Sequence, residues 1–83
     1  MAANYDRDQI RAALALTDPA ISAYLDLETG QVVQDNANES GPAVEELRAA
    51  IMDAYGQRYR YIPGGNPGAD DSAVAAWLEA EGL

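Results

Sequence analysis

Carboxylates, tyrosines and arginines are the reactive side chains available to this chain, because histidine and cysteine are both absent. Without histidine, the usual general base and commonest metal ligand is missing. Without cysteine there is no disulfide framework, thiolate nucleophile or zinc-thiolate site. Paired carboxylates remain as the catalytic option. Asp26 with Glu28 and Asp70 with Asp71 are close in sequence. Glycosidase-type chemistry, however, needs two carboxyls facing each other across a cleft, usually from distant elements of a larger scaffold. Both pairs read more simply as turn and helix-cap residues. The expectation is no catalytic residue, and a carboxylate-dependent hydrolase ranks last among the functions considered.

Two loops imitate ligand sites. Asn36, Asn38, Ser40 and Gly41 fall on the first, third, fifth and sixth places of a calcium-binding EF-hand loop. The place of its bidentate glutamate is taken by Leu47, so the match fails where affinity is decided. Gly64-Gly65-Asn66-Pro67-Gly68 precedes a helix pattern, and helix N-termini bind anions. It lacks the Gly-Lys-Ser/Thr and G-x-G-x-x-G arrangements, and Asp70 and Asp71 would repel a phosphate there. Neither a metal nor a cofactor is expected.

The segment from Tyr55 to Tyr61 is the most promising surface. It interleaves Arg58 and Arg60 with Tyr55, Tyr59 and Tyr61. Arginine and tyrosine are enriched at interface hot spots, so these five are the candidate protein-binding residues. Such interleaving can also stack nucleobases. The plain structural alternative is that the tyrosines pack in the core and the arginines pair with nearby carboxylates.

Charge separates these options. Fourteen acidic against five basic residues give a net charge of −9, and every basic residue is arginine. A nucleic-acid backbone needs a basic stripe that this chain lacks, so direct nucleic-acid binding is not expected. An anionic membrane surface would repel it similarly. Acidity suits a basic protein partner, or mimicry of nucleic acid toward a DNA- or RNA-binding protein. The start, Met1 to Asp6, has neither the basic nor the apolar region of a signal peptide. No apolar run approaches the roughly 20 residues of a membrane span. A cytoplasmic protein is expected.

The elements that must position these groups follow from spacing. Asp6 reads as a helix N-cap, with Gln9 completing a capping box and Tyr5 with Ile10 a hydrophobic staple. Ile10, Ala13 and Leu14 continue the helix until Thr17-Asp18-Pro19. From Ile21 the period changes to two, placing Ile21, Ala23, Leu25 and Leu27 on one face and Ser22, Tyr24 and Asp26 on the other. Glu28-Thr29-Gly30 reads as a three-residue hairpin loop with Gly30 left-handed. Gln31 to Gln34 returns, which pairs Leu25 with Val33 on the core face and leaves Val32 beside Asp26. Asp35 to Gly41 reads as a loop. Ser40 or Gly41 then caps a second helix with Pro42 in its first turn. Its apolar stripe is Val44, Leu47, Ile51, Ala54 and Tyr55, and Gly56 stops it. Arg58 to Pro63 is a short extended segment. Asp70 or Asp71 caps a last helix bearing Val74, Trp77 and Leu78, which Gly82 closes.

The hairpin Tyr24-Leu-Asp-Leu-Glu-Thr-Gly-Gln-Val-Val33 resembles the signature of an uncharacterised family of small acidic bacterial proteins, which carry Tyr-Leu-Asp-x-x-Thr-Gly-Glu-Val near the N-terminus. As in that family, a helix precedes the hairpin. An Arg-Tyr-Leu/Ile-Pro element follows the next helix, matched by Arg60-Tyr61-Ile62-Pro63, and a further helix corresponds to Ala73 through Leu78. Members continue beyond this point with a more basic, aromatic half. The resemblance implies a fold and a compartment, and no activity.

One α+β domain over residues 1–83 is therefore expected: helix, β-hairpin, helix, short extended element, helix. A chain this short has a thin core. Ile10, Leu14, Leu25, Val33, Leu47, Ile51 and Trp77 should form it, with the second and last helices on one face of the hairpin. A self-associating surface would help, so homodimer and monomer are weighed equally. The leading expectation of function is a non-enzymatic module that binds another protein. The alternative is a nucleic-acid mimic, which would line its carboxylates along one elongated face.

Overall fold

A computed structural model describes residues 4–83. Met1, Ala2 and Ala3, read above as part of a start without leader character, lie outside the described residues. The element order is α1 (Arg7–Leu14), β1 (Ile21–Asp26), β2 (Val32–Asn36), α2 (Pro42–Asp53), β3 (Tyr59–Ile62) and α3 (Asp71–Ala80). This is the expected α+β order. The extended segment after α2 is a full partner, because the three strands form one antiparallel sheet in the order β2-β1-β3. The third strand supplies the support that an isolated hairpin needs.

Local signals account for the helices. Asp6 caps α1 by accepting from the Gln9 N–H. The capping box is only half made, because the Gln9 side chain accepts from the Val32 N–H on the edge of β2. The Asp6 N–H donates instead to the Gly30 carbonyl at 2.7 Å. The helix cap thus doubles as the dock for the hairpin tip. Asp70 caps α3 through the Ala73 N–H. Gly41 begins α2 without a side-chain cap, and Gly56 follows it at φ +85°.

The core lies on one face of the sheet. Ile10, Ala13 and Leu14 of α1 meet Val74, Trp77 and Leu78 of α3 over Ala23 and Leu25 of β1 and Ile62 of β3. Leu25 and Val74 are fully buried.

The hairpin register differs from the expected one. Leu25 stands opposite Val32, and Tyr24 opposite Val33. Asp26 is joined to Gln31 at 2.9 Å and receives the Gly30 N–H at 2.7 Å, so the turn holds four residues, Leu27 to Gly30. Gly30 is left-handed, as expected, at φ +78°. The added residue shifts the return strand by one, which exchanges its faces. Val32 packs against the core, and Val33 is half-buried beside Tyr24. The strand also runs on through Asp35 and Asn36, which were expected in the loop.

The position of α2 is the second correction. Both outer strands run antiparallel to β1, hence parallel to each other, so α2 must carry the chain across the sheet from β2 to β3. With α1 and α3 on the core face, α2 crosses the opposite one. It does not share a face with α3. Ile51 is its sole buried residue, and Leu47 is only half-buried.

Candidate functional site, a tyrosine face beside helix two

Alternation along the strands sends Tyr24, Val33, Asp35, Tyr59 and Tyr61 to the face away from the main core. The crossing helix covers this face incompletely. Between Tyr24 and Asp35 on the sheet and Arg48, Ile51, Met52 and Tyr55 on the helix side lies an open groove of about 390 Å³. Its walls are largely apolar. Met52 is 82% exposed, Tyr55 56% and Tyr61 44%. Met52 and Tyr55 share the lining of this groove, and Tyr61 packs on Tyr24 beside it.

The tyrosines form a contact chain. Tyr24 meets Tyr55 edge to face, with ring centroids 6.3 Å apart and planes at 87°. It also meets Tyr61, at 5.7 Å and 59°. Such geometry suits the ring quadrupole and holds the rings in place. Burial, joined by the nearby Asp35 charge, pushes the Tyr24 phenol above its ordinary value.

Arg48 fixes the helix to the sheet at the rim. Its Nε donates to Asp35 at 2.9 Å and its Nη1 to Glu45 at 3.1 Å. Its Nη2 donates to the carbonyls of Asn36 and Glu39, both at 3.0 Å. The guanidinium is thus turned toward the strand end and the loop after it.

The expected binding segment divides into two groups. Tyr55 and Tyr61 stand on the open face. Tyr59 is buried, and its backbone is tied to the turn before it, with its N–H on Ala54 and its carbonyl on Gly56. The Arg58 guanidinium lies 5.2 Å from the Tyr59 ring centre. Arg58 grips the buried Asp26 carboxylate through Nε and Nη2, each at 3.0 Å. Arg60 donates to the Gly56 carbonyl and to the Glu81 carbonyl at the end of α3. Both arginines therefore serve internal contacts. Tyr24 was read only as part of the outer face of a hairpin. A large aromatic on the strand face shared with Ser22 and Asp26 was the available signal that this face meets something.

The two carboxylate pairs of the sequence are tied into structural contacts. Asp26 is 4% exposed and also receives the Glu28 N–H. Hydrogen bonds from Arg58 hold it below the usual carboxylate range. Glu28 turns outward to the same arginine at 3.2 Å. Asp70 is consumed as a cap, and Asp71 pairs with Arg11. Among the described residues no group of three or more acidic side chains converges as a metal site. Nor do the carboxylates line one face. Asp8 and Asp71 flank Arg11 on the helices of the core face, Asp35 and Glu45 flank Arg48 on the other, and Asp26 and Glu28 flank Arg58 at the hairpin tip. Among the described residues no helix is long and apolar enough to cross a membrane.

Comparison with protein-family models, curated proteins and solved structures returned no match.

Proposed function

We propose that this chain is a non-enzymatic interaction module that docks a partner protein on its tyrosine face. The observation that carries this reading is the exposed pair Met52 and Tyr55 in a groove held by Tyr24 and by the Arg48 ties, with the exposed Tyr61 ring packed on Tyr24 beside it. Aromatic and methionine side chains are enriched at interface cores. The groove sits outside the main core, so it can be filled without rearranging the fold. Nucleic-acid mimicry has less support, because the carboxylates lie on both faces and are partly neutralised by arginine.

The test is a pull-down with wild type and the double variant Met52→Ala/Tyr55→Ala, with folding checked by the fluorescence of Trp77. A partner retained by wild type and lost by the folded double variant is expected. A partner held equally by both would refute docking at this face.

A further inference from the structure

Resting on the docking reading above, we infer that the groove takes a cationic amphipathic segment: an apolar side chain seated against Tyr24, Tyr55 and Met52, flanked by lysine or arginine.

The apolar anchor follows from the lining. A groove of about 390 Å³ has room for one or two large side chains, and Ile51, Met52 and two tyrosine rings would surround them. The flanking positive charge follows from the surroundings. Among the described residues Arg48 is the one cation in the lining, and its donors are directed at Asp35, Glu45 and the Asn36 and Glu39 carbonyls. Asp35 and Glu45 together exceed its charge. The whole chain carries −9 and attracts cations over roughly a Debye length, about 8 Å in physiological salt. Tyrosine ring faces favour a neighbouring ammonium or guanidinium.

The same facts argue against a second copy as occupant. Four of the five arginines, Arg11, Arg48, Arg58 and Arg60, are ion-paired within the fold. A second copy would bring another −9 charge and, among the described residues, Arg7 as the one arginine outside those pairs. The complementary charge must come from a different chain.

The test is selection of peptides from an unbiased display library on the full chain, followed by titration of synthetic versions of the enriched peptides. The expected peptides are net positive around an apolar anchor. Their affinity should fall several-fold when sodium chloride is raised from about 0.05 to 0.5 M. It should fall at least about tenfold with the folded Met52→Ala/Tyr55→Ala variant. Peptides that need Met52 and Tyr55 but are neutral or acidic would overturn the charge inference and leave the docking reading standing. Failure to recover any peptide sensitive to the double variant would overturn both. A dimer in sedimentation that the double variant dissociates would make a second copy the occupant and also overturn the inference.

Discussion

Arg58 closes on Asp26 with two parallel hydrogen bonds of 3.0 Å, joining residues 32 positions apart in sequence. The carboxylate is buried and also receives the Glu28 N–H, so the pair fixes the base of the hairpin turn to the start of β3. Removing the carboxylate leaves the Glu28 N–H and the arginine without their acceptor. Asp26→Ala should destabilise the fold by about 2–4 kcal/mol in urea titrations followed by Trp77 fluorescence.

The same pair sets an acid dependence. Arg58 and the Glu28 N–H lower the pKa of Asp26 in the folded state. A lowered folded-state pKa means that the unfolded chain binds the proton first. The contribution is therefore complete above the ordinary aspartate value, about 3.9, and is lost as pH falls through that value toward the lowered one. In Asp26→Asn that share of the acid dependence should vanish, which urea midpoints measured from pH 6 to pH 2 would reveal.

Tyr24 gives the opposite sign at high pH. Its phenol is raised by burial and by Asp35. The folded state keeps the proton longer, so its contribution is intact below the ordinary tyrosine value, about 10, and is lost as pH rises through the raised one. Ultraviolet titration should show a phenol that ionises above the ordinary tyrosine value. Tyr24→Phe should remove that late step and lessen the alkaline loss of stability.

Gly30 is required by both its backbone and its surroundings. Its φ is +78°, and a Cβ there would collide with the Asn4 carbonyl oxygen. Gly30→Ala should cost at least about 2 kcal/mol, from the left-handed penalty plus displacement of the N-terminal segment. Thermal melts read at Trp77 would measure it.

These contacts also mark where sequence reasoning reaches and where it stops. Asp6, a cap at Asp70 or Asp71 and the stripe Val74, Trp77, Leu78 were legible because caps and helical periods are local, and the cap is Asp70. The turn glycine was legible for the same reason. The register was not, because Val32 and Val33 are both apolar and alternation alone cannot choose between them. The choice is made by Asp26 pairing with Gln31, which lengthens the turn. The face taken by α2 was also hidden. Its stripe fits either side of a sheet, and the decision comes from β3 joining the far edge of β1. The interleaving of Arg and Tyr is visible in the sequence, but the contacts of Arg58 and Arg60 depend on Asp26 and Glu81, which lie far from them along the chain. Tyr24 joins the groove only through contacts from two later segments.

The separation of folding from binding gives a further contrast. Leu25 is fully buried in the main core, and Leu25→Ala should cost about 2–5 kcal/mol. Met52 is largely exposed, and Met52→Ala should change stability by no more than about 0.5 kcal/mol. Paired denaturation curves would show the difference, and only the second variant should remain folded enough to report on docking.

The most direct test of the tyrosine face is site-specific photocrosslinking in cells. A photoreactive amino acid is placed at position 52 or 61 on that face, and at position 79 on α3 as the control. A discrete adduct with another protein is expected from 52 and 61, abolished when Tyr55→Ala is added, and none from 79. Equal adducts from all three positions, or an adduct from 79 alone, would contradict docking at this face.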